Sequence, residues 1–245
     1  MPSYPPLPLA LLLQLFWSFL RGERRSYRQD ALRWAASLAL CVEGREHIPA
    51  RGPGLMVMNH YHRPGFEAWW FSLAISSLVP QEVHWMMSAA WTDDGTPGAK
   101  WRALYSPILL PLLARLYGFT SMPPMPPRPR EAAARAAAVR HFLSAARRSP
   151  LLALAPEGQD NPRGVLLRPP PGSGRLLALL DEMGCPFFPV GVCEQADRLR
   201  LVFGAPFRLA LPAGLSPAQR DRQAADQVMG AIAALLPSVL RGAYA

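Results

Sequence analysis

Five short, largely apolar runs punctuate the chain: Gly54–Met58, Val83–Ser88, Leu151–Ala155, Pro186–Val192 and Leu199–Phe203. Each is too short for a stable helix and reads as a strand, and those leading to Asn59 and Pro156 read as buried. Helical patterns fill the intervals. Residues 26–40 read as one helix, a second runs from Pro64 to about Leu78, and a third spans Trp101–Leu116 and is broken or bent at Pro107 and Pro111. Further helices are expected over Glu131–Arg148, over Arg175–Met183 behind Gly174, and over Ser216–Leu235. Pro64 suits a first helical turn, where its missing N–H has no helical partner. Gly95–Lys100 reads as a loop, and the prolines of Met122–Arg130 hold that segment extended. Strands alternating with helices predict an α/β fold, one domain of helices around a central, mostly parallel sheet.

The domain so read occupies residues 41–245, preceded by an apolar and basic helical segment over residues 1–40. Pro5–Leu20 is nearly uncharged and rich in Leu, Phe and Trp, and Arg21, Arg24, Arg25 and Arg28 follow. The run is shorter than the ~20 residues that cross a bilayer. It has neither the basic start nor the small-residue cleavage site of a signal peptide. An interfacial helix with arginines on the cytoplasmic side fits this pattern, so the chain is expected at the cytoplasmic face of a membrane.

Charge and composition agree with a lipid partner. Net charge is +9, hydrophobic residues make up 50% and charged residues only 18%, which leaves more apolar surface than a cytosolic monomer needs. Nucleic acid would call for basic residues interleaved with exposed aromatics, whereas these arginines are scattered and Trp69–Trp70 sit inside an apolar run. The three cysteines, Cys41, Cys185 and Cys193, have no metal-type spacing and are expected to be reduced.

Two strand ends carry the chemistry. Asn59-His-Tyr-His-Arg-Pro-Gly-Phe-Glu67 joins a buried strand to a helix start. A histidine there, with a carboxylate one helical turn away, has the makings of a general base and its orienting group. No Ser or Cys stands in a nucleophile elbow, which favours direct attack by an acceptor hydroxyl over a covalent acyl-enzyme. The second strand end is Pro156-Glu157-Gly158, a carboxylate and a glycine delivered into a loop, where Glu157 can meet an acceptor hydroxyl or a cation.

Together these motifs resemble the glycerolipid (1-acylglycerol-3-phosphate) acyltransferase superfamily. Asn59-His60 matches the opening of its first motif, Asn-His-x4-Asp, and Pro156-Glu157-Gly158 matches its third, Phe-Pro-Glu-Gly-Thr-Arg-Ser. Phe188-Pro-Val-Gly-Val192 and Phe203-Gly-Ala-Pro206 resemble the segments that follow. The resemblance covers residues 50–210 and implies an acyltransferase of phospholipid biosynthesis. Such an enzyme moves a fatty acyl group from acyl-CoA or acyl carrier protein to a hydroxyl of a lysophospholipid-like acceptor. The thioester is substrate, and neither a cofactor nor a metal is implied. It assigns catalysis to His60, His62 and Glu67, and acceptor binding to Asn59, Pro156, Glu157 and Gly158.

The chain departs from the pattern in three places. Five residues after His60 stands Gly65 rather than an acid. Either His62-x4-Glu67 keeps the spacing, or His60 is the base and a loop two residues longer returns Glu67 to it. Both registers use Glu67. The second motif lacks its arginine at Tyr117–Pro124, which leaves Arg128 and Arg130 of the proline loop as candidates for an acceptor phosphate. Gln159-Asp160-Asn161 replaces Thr-Arg-Ser in the third motif. Two other readings stand beside this one: a non-catalytic lipid-binding relative, and a metal hydrolase built on His60-x-His62.

Overall fold

A computed structural model describes residues 4–91, 98–148 and 151–245. Helix α1 (Leu9–Arg21) and helix α2 (Tyr27–Ala35) lead into strand β1 (Leu40–Glu43). The core alternation follows as β2 (Gly54–Met58), α3 (Ala68–Leu78), β3 (Val83–Ser88), α4 (Ala99–Tyr117), β4 (Thr120–Met122), α5 (Ala132–Ala146) and β5 (Leu151–Leu154). The chain closes with α6 (Ser173–Glu182), β6 (Phe187–Gln195), β7 (Arg198–Phe203) and α7 (Pro217–Ala234). The strands form one seven-stranded sheet in the order β1-β7-β6-β2-β5-β3-β4. Every neighbouring pair is parallel except the β6–β7 hairpin. The α/β domain with a mostly parallel sheet expected from the sequence is the fold observed.

The sheet is a central layer because its strands are apolar on both faces. Leu55, Val57, Leu152 and Leu154 point to one side, against Phe142 of α5, Leu177 and Leu180 of α6, and Val228 and Ile232 of α7. Met56, Met58, Leu151 and Ala153 point to the other, against Phe71, Ala74 and Ile75 of α3 and Ala114 of α4. All five residues of β2 are buried. A slip of one residue would exchange the faces, and each large side chain so misplaced forfeits about 1.5–3 kcal/mol, so the register is fixed. Helices α6 and α7 cross at Gly174, where an added Cβ would lie 1.7 Å from the Asp221 carbonyl oxygen, closer than any side chain can sit.

Several boundaries differ from expectation. The helix expected to reach Leu40 stops at Ala35, and Leu40–Glu43 pairs with β7 at the sheet edge. Helix α3 begins at Ala68 rather than Pro64, because Gly65 takes a left-handed φ of 76° and turns the chain first. Helix α4 runs through Pro107 and Pro111 without a break. The prolines stand one turn apart on one face, so both missing donors fall together and leave the rest of the ladder intact. Thr120–Met122 adds a short edge strand ahead of the proline segment. Most of the loop expected at Gly95–Lys100 lies outside the described residues.

No helix among the described residues is long and apolar enough to cross a membrane. The 13-residue α1 leaves Leu9, Leu12, Leu13, Phe16, Trp17, Phe19 and Leu20 exposed. Of the arginines that follow, Arg25 is internal: it forms a bidentate pair with buried Asp30 at 2.6 and 2.9 Å. Arg28 donates to the Val79 carbonyl at 2.7 Å, while Arg21 lies over the Trp17 ring.

Candidate active site

Parallel pairing of β2 with β5 builds the site. Val57 is in register with Leu154, so the chain leaves both strands on the same side, and His60 and Glu157 each follow three residues later. The two motifs, 97 residues apart in sequence, therefore meet at the carboxyl ends of adjacent central strands. That is where open α/β sheets place their ligands.

Two buried clamps hold His60. On the β6 side, the Asn59 amide donates to the Val192 carbonyl at 2.8 Å and accepts from the Val192 N–H at 2.7 Å. On the β5 side, the Glu157 carboxylate accepts from the His60 N–H at 2.6 Å and from the Leu167 N–H at 2.7 Å. Glu157 is 2% exposed, and burial pushes its pKa up to about 7 against the opposing pull of those two donors. Gly158 turns the chain immediately afterwards, with φ 67° and its N–H bonded to the Ala155 carbonyl, a conformation natural to glycine. A third tie anchors the far end of the His60 loop: Arg63 binds Glu194 through two nitrogens, at 2.5 and 2.7 Å, and Tyr4 donates to the same carboxylate.

The two imidazoles share one carboxylate. Asp160 Oδ1 lies 3.5 Å from His60 Nδ1, and Asp160 Oδ2 lies 3.2 Å from His62 Nδ1. The His60 Nδ1 is shielded from solvent and has no hydrogen-bond partner among the described residues. Burial lowers the His60 pKa, the Asp160 charge opposes that shift, and neighbouring His62 adds to it. His60 is therefore neutral near pH 7, the state a proton acceptor requires.

Glu67 is held by an arginine. It is the residue before α3, its side chain caps no backbone N–H, and it pairs with Arg102 of α4 at 3.3 Å. Both partners are about one-third exposed, Glu67 35% and Arg102 34%. Arg128 and Arg130 are exposed, with Arg128 beside Glu131 at 3.7 Å. No group of three or more His, Cys, Asp or Glu residues suited to hold a metal occurs among the described residues.

The acyltransferase family model matches residues 39–193, more than half of the 245-residue chain, and spans both strand ends. The chain belongs to the acyltransferase family. A solved structure similar to it is the 1-acyl-sn-glycerophosphate (LPA) acyltransferase PlsC from Thermotoga maritima. Identity is 16% and the TM-score 0.49, over 94% of this chain and 83% of that one. No curated protein matches the chain.

Beside the histidines this acyltransferase has a cavity of about 1900 Å³. His60, His62 and Asp160 line one end with Pro156 and Gly158, whereas the Glu157 side chain stays behind the wall. Most of the remaining wall is apolar, built from Leu12 and Phe16 of α1, Trp69 and Phe71 of α3, Leu109 and Leu113 of α4, and the proline segment, and Glu67 lines it as well. Arg102, Arg135 and Arg140 are the arginines of the wall. The residues that sequence reasoning missed are Asp160 and these arginines. A signal for Asp160 was present, since an acid stands there in place of the motif's arginine.

Proposed function

We propose that the chain catalyses O-acyl transfer from an acyl thioester, carried by CoA or by acyl carrier protein, to a hydroxyl of a lysophospholipid-like acceptor. The observation that carries this reading is a neutral, doubly clamped histidine at the polar end of a large apolar cavity. His60 is the general base. It takes the acceptor hydroxyl's proton as that oxygen attacks the thioester carbonyl carbon. The C–S bond then breaks, and the departing thiolate recovers the proton from the imidazolium. The cavity's apolar stretch houses the acyl chain, and the polar end around Pro156 and Gly158 receives the acceptor. Glu157 acts behind them by fixing the His60 backbone, with Asn59 doing the same from the other side. Arg102, Arg135 and Arg140 stand where an acceptor's anionic group would be met.

The membrane association proposed for residues 1–40 rests on exposed apolar side chains. Helix α1 presents Leu9, Leu13, Phe16 and Trp17, and α4 presents Trp101, Leu104 and Ile108. Both helices also line the cavity, so an acyl chain has a direct route from a bilayer surface. The net charge of +9 favours the anionic cytoplasmic leaflet.

The test is product formation. Purified protein is mixed with palmitoyl-CoA or palmitoyl acyl carrier protein and a panel of lysolipids in vesicles, and acylated lipid is read by mass spectrometry. A diacyl product that depends on one acceptor, and disappears in His60→Ala, supports the reading. Binding of lysolipid with no product from either donor would instead identify a non-catalytic lipid-binding relative.

A further inference from the structure

The base needs a group to hold its tautomer, and the family's spacing offers none at Gly65. We propose that Asp160, on the β5 side of the site, is the carboxylate that positions His60, in place of an acid supplied from the His60 loop itself. This rests on the acyltransferase reading above.

Three observations carry it. First, His60 Nδ1 is a buried polar atom with no hydrogen-bond partner among the described residues, and Asp160 lies 3.5 Å from it. Second, Glu67 is engaged with Arg102 on α4, at the end of a turn that Gly65 directs away from a continuous helix. Third, the backbone on both sides of the contact is fixed by one residue. Glu157, three positions before Asp160, holds the His60 N–H at 2.6 Å and the Leu167 N–H at 2.7 Å, which bracket the 157–160 loop against the His60 loop. An Asp160 carboxylate at Nδ1 selects the Nδ1–H tautomer and leaves Nε2 free to take a proton. The contact is longer than a formed hydrogen bond, and catalytic contacts in ligand-free sites commonly tighten when substrate binds.

Asp160 also faces His62, at 3.2 Å, so the carboxylate is shared. Its side chain is 53% exposed, so replacing it removes little buried packing. Among the described residues, the charged and titratable groups acting on His60 are Asp160, His62 and, through the backbone, Glu157. Removing His62 leaves Asp160 wholly to His60. Removing Asp160 takes that carboxylate from both imidazoles.

The experiment compares wild type, Asp160→Asn, Asp160→Glu and Glu67→Gln in acceptor-dependent thiol release, with ¹⁵N NMR of the histidine side chains. Asp160→Asn should lower kcat by about 10²-fold or more, with KM for the thioester little changed. Its acid limb should move to lower pH, because a negative charge that favours the imidazolium is gone. Asp160→Glu should retain more activity than Asp160→Asn, and Glu67→Gln should leave the acid limb in place. In the spectra, His60 should carry its proton on Nδ1 in wild type and lose that preference in Asp160→Asn, with thermal unfolding unchanged. An active wild type whose kcat and acid limb are insensitive to Asp160→Asn would overturn the proposal. A wild type silent with both donors would overturn the acyltransferase reading, and the tautomer of His60 would still decide the role of Asp160.

Discussion

The two ends of the cavity are built on opposite principles. At the polar end, side chains are pinned: Asn59 and Glu157 are buried and spend their hydrogen-bonding capacity on the backbones of Val192, His60 and Leu167. At the apolar end, α1 and α4 leave Leu, Phe, Trp and Ile side chains exposed, with few polar ties to hold them. Proton transfer requires an atom held within a few tenths of an ångström, which buried charge-assisted bonds provide. Acyl chains and bilayers have no fixed shape, and adaptable apolar surface meets them at little cost in specificity. One fold supplies both because the strand ends are central to the sheet, whereas α1 and α4 lie outside it.

The largest effect should come from the pinned end. His60→Ala removes the proposed base and should lower kcat by about 10²–10⁴-fold, while lysolipid binding to vesicle-bound protein stays within a few-fold. Should His62→Ala be the more damaging of the two, the registers exchange roles and the base lies two residues further along the loop.

Glu157→Ala should follow, through the scaffold. It strands two backbone N–H groups and should destabilise the protein by about 2–4 kcal/mol in chemical unfolding, with activity falling in parallel. The same residue has a pH signature. The Glu157 carboxyl titrates near 4.5 when exposed and about 7 in the fold, so between those values the folded state keeps a proton the unfolded chain has released. Stability from this residue therefore falls as pH rises through that window, by on the order of 3 kcal/mol in all. His60, whose folded pKa is lowered, works in the opposite direction below its ordinary value. The comparison of wild type with Glu157→Gln isolates the Glu157 share, and the Gln variant should lack it.

The smallest effect on chemistry, and the clearest on location, should come from the apolar end. Leu13→Ser with Trp17→Ser should reduce partition onto anionic vesicles about tenfold or more in flotation. Turnover of a water-soluble short-chain thioester should change little. Equal loss of both would show that α1 supports the fold rather than the membrane contact.

What was legible in the sequence follows the same division. The strands that end at Asn59 and Pro156 were readable because five and four consecutive buried residues leave little else for them to be. The meeting of His60 with Glu157 was implied by motif order, since both follow apolar runs of a parallel sheet. Strands β1 and β4 were not, because Leu40–Glu43 and Thr120–Met122 are short edge segments, part-buried, whose pairing partners lie far along the chain or beyond a helix. The start of α3 was misplaced for a local reason: Pro64 suggested a helix start, and the left-handed Gly65 delays it to Ala68. Asp160 was legible as an acid in place of the motif's arginine, but its closeness to His60 and His62 was not, because they belong to another strand end. Only the register of β2 on β5 brings them together.

One measurement bears on all of this most directly: acceptor-dependent release of free thiol from palmitoyl-CoA and from palmitoyl acyl carrier protein, comparing wild type with His60→Ala at equal folded concentration. Release by wild type that rises with lysolipid, and falls by about 10²-fold or more in His60→Ala, is the expected result. Lysolipid-dependent release that His60→Ala leaves unchanged would contradict the account, because the pinned histidine would then be no part of the chemistry.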